Sequence, residues 1–184
     1  MNHKTTLNSN ISKMDSNTNL DILKLYWQGP FNIKEAIENF SDNIIDYGLY
    51  QIYGTHSVNG SDNLLYIGKS QENIFKYRLE SHKKDWIDNE PSEITVYIGK
   101  FFDTEQPKDK VWGTHIDACE KMLIYHCQPS YNVREKYVKP TFLEKDYIIL
   151  NIGRRHKLPA EISTFYFKNI DTFNHEKFWK YGIK

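Results

Sequence analysis

Apolar and polar positions change period several times along this chain, and each change marks an element. Leu23, Leu25, Tyr26 and Trp27 run into Gly29-Pro30. Asn32 then stands as a helix cap before Ile33, Ala36, Ile37 and Phe40, whose three-and-four spacing predicts a short helix to about residue 40 laid over a sheet. Residues 47–53 (YGLYQIY) and 63–69 (NLLYIGK) are aromatic and branched, and the Asn59-Gly60 dipeptide lies in the polar stretch between them. They read as a β-hairpin with a long loop. Ser70 is the expected cap of a helix to about residue 86, with Phe75, Leu79 and Trp86 on one stripe and His82 between them. Pro91 breaks the chain, and residues 94–102 (ITVYIGKFF) alternate as a third strand. Thr114 with Asp117 resembles a capping box for a helix over about 115–127, carrying Ile116, Cys119, Leu123 and Cys127 and stopped by Pro129. Further strands are expected at 147–152 and 164–167, followed by a short aromatic tail at 173–179.

This order predicts an α/β (α+β) fold: a small antiparallel three-stranded central sheet flanked by helices, with extra C-terminal strands. The expected organisation is a polar, mobile tail over 1–19, an N-terminal helical extension over 20–45, a core over 46–134 and a C-terminal extension over 135–184. At 184 residues the chain has the length of one domain, and 39 % hydrophobic with 26 % charged residues is a globular composition. No apolar run approaches the ~18 residues of a membrane helix, so no membrane partner is expected. The opening MNHKTTLNSN has no apolar core or cleavage pattern, which leads to a cytoplasmic expectation. Cys119 and Cys127 are eight apart in one predicted helix, about 12 Å of rise, too far to bridge each other.

Charge changes the picture only locally. Twenty-four basic and twenty-four acidic residues cancel, yet residues 133–157 hold seven basic side chains against three acidic ones. Arg134, Lys136, Arg154, Arg155 and Lys157 are therefore candidate contacts to a phosphate backbone; taken alone, the same run also fits a solvated loop and strand edge.

The candidate chemistry is spread over four predicted elements. Tyr50 and Tyr66 each sit in a hairpin strand beside a glycine, as Gly48-Leu49-Tyr50 and Tyr66-Ile67-Gly68. A glycine inside a strand often marks the close approach of a ligand or another backbone. Arg78 and His82, four apart on a helix, project from one face and can present a guanidinium fork beside a titrating imidazole. Glu120 lies next to Cys119 on a core stripe, where a carboxylate is costly unless paired or bound to a metal.

Taken together these residues resemble one family, the GIY-YIG nucleases. Its first triplet appears as Gly48-Leu49-Tyr50 with Leu for Ile, and the second as Tyr66-Ile67-Gly68, followed by Lys69. Arg78 and His82 match its R-x-x-x-H, and Glu120 followed by Pro129 and Asn132 matches its helix carboxylate and P-x-x-N. The resemblance spans about residues 46–134. It implies a metal-dependent DNA endonuclease using one divalent ion, Mg²⁺ or Mn²⁺, held by Glu120. It further implies that Arg78 stabilises charge on phosphorus, Tyr50 activates water, His82 relays the proton, Lys69 lowers the phenol pKa, Tyr66 orients the water and Asn132 positions the site.

The small stand-alone restriction enzymes of the family are the nearest in style, which puts restriction or another anti-foreign-DNA role ahead of homing or repair. The expected partner is double-stranded DNA. One active-site set per chain makes a homodimer on DNA the economical way to cut both strands, with Phe165, Phe167, Phe173, Phe178 and Trp179 as candidate contact area. The rival reading is a non-cleaving nucleic-acid-binding module or accessory subunit on the same fold. Tyr50, Arg78 and Glu120 count against it, because a binder has no need of a metal carboxylate.

Overall fold

The computed structural model describes residues 20–102, 109–138, 140 and 145–165. Within them the chain forms a mixed α/β fold, a six-stranded sheet with three α-helices. The strands are β1 (Leu20–Asn32), β2 (Gly48–His56), β3 (Gly60–Ser70), β4 (Thr95–Phe101), β5 (Asp146–Gly153) and β6 (Glu161–Ser163). The helices are α1 (Ile33–Asn39), α2 (Phe75–Asp85) and α3 (Lys110–Cys127). The sheet order is β3-β2-β4-β1-β5-β6.

The expected antiparallel triplet is present as β3-β2-β4, but it is half of a larger sheet. β1 extends it, antiparallel to β4 and parallel to β5. This corrects the three-stranded expectation and the helical extension over 20–45: only α1 is helical there, and the preceding thirteen residues are an interior strand. The cause is visible in β1 itself, where Leu23, Leu25 and Trp27 are buried and Lys24, Tyr26 and Gln28 exposed, the period-two signature of a strand. Trp27 then donates from Nε1 to Asn151 Oδ1 at 2.9 Å, tying β1 to β5 inside the core.

Two helix starts also move. Ser70 ends β3 and is buried, and α2 begins at Phe75 after Ile74, with no side-chain cap. The capping box expected at Thr114 and Asp117 is replaced by Asp109, whose side chain accepts from Trp112 N at 2.5 Å five residues earlier. Asn32 does cap α1, with Glu35 completing the reciprocal pair. The last strand occupies Glu161–Ser163, ahead of the expected 164–167. The expected N-terminal tail over 1–19, and Phe167, Phe173, Phe178 and Trp179, lie outside the described residues. Cys119 and Cys127 are both free thiols.

Two apolar clusters cover the sheet. One joins Leu23, Leu25, Trp27, Leu49, Tyr53 and Ile67 to α3 through Ile116, Cys119, Met122 and Leu123. The other joins Tyr50, Ile52, Leu65 and Ile98 to α1 and α2 through Ala36, Phe75 and Leu79. Side chains alternate along β2, so Leu49 and Tyr53 face α3 while Tyr50 and Ile52 face α2. The two helices carrying the candidate residues therefore cover opposite faces. They can share a site only past the margin of the sheet, and β3 is the outermost strand there.

Among the described residues no helix is long and apolar enough to cross a membrane.

Candidate active site

The two motif glycines are there for backbone and ring clearance. Gly48 has φ +150°, and a Cβ on it would collide with the carbonyl oxygen of Gly99 on β4. A Cβ on Gly68 would collide with the Tyr50 hydroxyl and lie 2.7 Å from Tyr66 Cε1. Gly68 thus lets the Tyr50 ring lie flat across the neighbouring strand, with its hydroxyl reaching the β3 edge.

Tyr50 is fully buried and Tyr66 half-buried beside it, with their rings stacked at 6.2 Å between centroids and 24° between planes. A register shift in the hairpin turns Leu65 and Tyr66 both toward the α2 cluster. From α2, His82 Nε2 lies 2.7 Å from the Tyr50 hydroxyl, and the Arg78 side chain hydrogen-bonds that same oxygen. Tyr66 is 4.7 Å from the His82 ring. The predicted i, i+4 pair does converge on one atom, the Tyr50 oxygen.

Burial decides the protonation states. Exclusion from water, followed by the neighbouring Tyr66, pushes the Tyr50 phenol well above its ordinary range, although Arg78 opposes the shift. Tyr66 is raised as well, by burial and then by Glu120. The same burial, with the nearby Arg78 charge, holds His82 down to about 4, so the imidazole is neutral at pH 7.

On the other side of the edge, α3 presents Glu120, its side chain only 17 % exposed. Lys69, the residue after the Tyr66-Ile67-Gly68 triplet, lies between two carboxylates, ion-paired with Asp117 and 3.3 Å from Glu120 Oε2. Burial raises Glu120 above the usual carboxylate range against the pull of Lys69, and its two acidic partners raise Lys69 despite burial. Lys69, Gln71, Glu72, Asn73, Arg78, Asp117 and Glu120 line an open cleft of about 390 Å³. Arg78 is the link between the two halves: it reaches the Tyr50 oxygen and shares the cleft with Glu120. Its Nε is buried with no hydrogen-bond partner among the described residues.

Asn132 does not enter the cleft. Buried, it accepts from Ile67 N and donates to Ile67 O, both at 2.9 Å. Ser130 N and Tyr131 N bond the carbonyls of Leu64 and Leu65. The segment after α3 therefore occupies the outer edge of β3 and fixes the strand that carries Tyr66 and Lys69.

The metal question turns on the donor set. Among the described residues, no group of three or more His, Cys, Asp or Glu could by itself hold an ion. Glu120 and Asp117, one helical turn apart at the same cleft, give two hard oxygen donors. Mg²⁺ takes one or two carboxylates and completes its shell with water and substrate phosphate, so these residues fit an ion completed by substrate and do not make a closed protein cage.

The candidate nucleic-acid contacts divide. Arg134 is exposed and stands two residues after Asn132, and Lys136 O accepts from Gln128 Nε2. Lys157 is ion-paired with Asp62 at 2.8 Å, the Arg155 guanidinium donates to Leu158 O, and Arg154 is exposed. Asp62 precedes Lys69 by seven residues on β3, about 23 Å at about 3.3 Å per residue. The basic cluster at 154–157 is thus at the far end of the strand from the cleft. Sequence reading missed Asp117 and Trp86. Asp117 is three residues from Glu120 and so on its face; Trp86, four from His82, donates from Nε1 to His82 Nδ1 at 3.1 Å. Only spacing was available to find either. Comparison with family models, curated proteins and solved structures finds no match.

Proposed function

We propose that this protein is a metal-dependent endonuclease of the GIY-YIG kind, hydrolysing phosphodiester bonds in double-stranded DNA. The observation that carries the reading is convergence: β2, β3, α2 and α3 deliver Tyr50, Tyr66, Lys69, Arg78, His82 and Glu120 to one sheet edge, from positions 70 residues apart. A structural role alone gives no reason to gather a phenol and an imidazole on the guanidinium of Arg78, beside an open cleft that Arg78 lines with an ammonium and carboxylates. The chemistry of that set suits a phosphodiester.

Arg78, which lines the cleft, is a fork for phosphate oxygens and for the negative charge that grows on phosphorus. A divalent ion held by Glu120, assisted by Asp117, would neutralise charge on the departing oxygen. Lys69 bridges both carboxylates and balances their charge. The Tyr50 oxygen, at the junction of Arg78 and His82, is the group that faces the attacking water. Because burial keeps it a phenol, it must give up that proton before it can take one from water, and the Arg78 hydrogen bond on its oxygen favours the charged form. Tyr66 walls this corner by stacking.

Exposed Arg134, two residues after the Asn132 that bonds β3, is the proposed first phosphate contact beyond the cleft. Restriction or another defence against foreign DNA is the favoured role, with Mg²⁺ or Mn²⁺ as the cofactor and a dimer on DNA for double-strand cutting. Incubating the purified protein with supercoiled plasmid in Mg²⁺, in Mn²⁺ or in EDTA, and sequencing the ends, tests the reading. Metal-dependent linear or nicked product supports it. Retained plasmid binding without cleavage in any metal supports the non-cleaving module instead.

A further inference from the structure

Trp86 takes no part in the resemblance, yet it touches His82 twice. It ends α2, and its backbone N–H bonds His82 O at 3.0 Å. Its indole Nε1 lies 3.1 Å from His82 Nδ1. The indole is held edge-on to Tyr131, 5.3 Å between centroids, and near Tyr66 at 6.4 Å. It is therefore set in its own packed surroundings on the side of His82 away from Tyr50.

An indole N–H can only donate. His82 Nδ1 must then accept, and a neutral imidazole carries its one proton on the other nitrogen. That nitrogen is the one 2.7 Å from the Tyr50 hydroxyl. We infer that Trp86 is a positioning residue: its indole N–H fixes His82 as the Nε2–H tautomer, which makes the imidazole a donor to the Tyr50 oxygen. The inference rests on the nuclease reading for its consequence, but not for its geometry.

The consequence changes the role expected of His82. An imidazole in this tautomer does not remove the Tyr50 proton; it supports negative charge on the oxygen once the proton is gone. Tyr50 accepts from His82 and from Arg78, so its own O–H points away from both. Once that proton has passed to solvent, the oxygen can take one from the attacking water, whose oxygen forms the new bond to phosphorus as the bond to the departing oxygen breaks. Without the indole N–H, His82 is free to adopt the Nδ1–H form, in which Nε2 accepts from the Tyr50 O–H and holds that proton in the resting state.

The test reads the tautomer directly. The full chain labelled with ¹⁵N-histidine gives, by long-range ¹H–¹⁵N correlation, which nitrogen of His82 is protonated. The expected wild-type result is a single Nε2–H form. Trp86→Phe keeps the ring and loses the donor; it is expected to populate the Nδ1–H form and to slow single-turnover plasmid cleavage about tenfold, less than the roughly 10²–10⁴ that losing a positioned proton-transfer group itself costs. Tyr50→Phe is expected to leave the Nε2–H form intact, because Trp86 remains. An Nδ1–H form in the wild type, an unchanged tautomer in Trp86→Phe, or a tautomer that switches in Tyr50→Phe each overturns the assignment, and the first and last do so even if Trp86→Phe does not fold. A shifted tautomer with undiminished cleavage overturns the positioning role. A wild-type protein that cuts no nucleic acid overturns the nuclease reading and leaves the tautomer result standing on its own.

Discussion

Removing one oxygen from Tyr50 separates packing from chemistry. The ring is fully buried against Phe75 and Tyr66, so Tyr50→Phe keeps the apolar contacts and loses the atom on which Arg78 and His82 converge. The expected outcome is a cleavage rate lower by about 10²–10⁴ with an unchanged circular dichroism spectrum; wild-type turnover would reduce Tyr50 to a core residue. His82 leaves a second trace, in stability. Its folded-state value of about 4 lies below the ordinary 6.5, so between those values the unfolded chain binds a proton that the fold refuses. The stabilisation is whole above pH 6.5 and is lost as pH falls toward 4, by up to about 3 kcal/mol. Urea titrations at pH 7 and pH 4.5 should show the loss in the wild type and a smaller one in His82→Gln. Equal losses in both proteins would mean that another group sets the acid sensitivity.

At the scale of elements, the edge of β3 is the vulnerable place. An unprotected edge strand splays or pairs with other chains, and here Asn132 imitates a neighbouring strand by bonding both polar groups of Ile67. Asn132→Ala leaves a buried N–H and C=O unmatched, and chemical denaturation should report a loss of about 1–3 kcal/mol, accompanied by lower activity because Tyr66 and Lys69 ride on the same strand. Unaltered stability would show that Asn132 is not the clamp. The elements most legible in the sequence were those whose partners are close by. The hairpin, the helix with Arg78 and His82, and the strand at 94–102 carry their own period and turn signals. β1 carried a clear alternation at Leu23, Leu25 and Trp27, but its neighbours are β4 and β5, the latter more than 120 residues away, and no local pattern announces such a pairing. Ser70 misled for a related reason: a small polar residue before a helix reads as a cap, whereas tertiary packing buries it at the end of β3.

The whole molecule depends on β1 more than the motifs suggest. It lies between β4 and β5, and Trp27 bonds Asn151 across the core. A chain beginning at Ile33 would keep every motif residue and lose the strand that joins the two halves of the sheet. Such a chain is expected to lack cooperative thermal unfolding and dispersed amide resonances; a folded, active product would make residues 20–32 a true appendage. The site itself was legible as a set of residues but not as a geometry. Tyr50, Arg78 and His82 meet where helical spacing and strand pairing send them. The pairing of Lys69 with both Asp117 and Glu120 arises only because two helices on opposite faces reach past one edge.

Glu120 is where the account stands or falls, since it is the carboxylate proposed to hold the ion. Glu120→Gln keeps the side chain's shape and removes the charge that would hold the ion. Wild type and variant, matched in fold, should be compared on supercoiled plasmid in Mg²⁺ or Mn²⁺, with plasmid binding measured alongside. The account predicts metal-dependent cleavage by the wild type, none by Glu120→Gln, and retained binding by both; cleavage by the variant at the wild-type rate would contradict it.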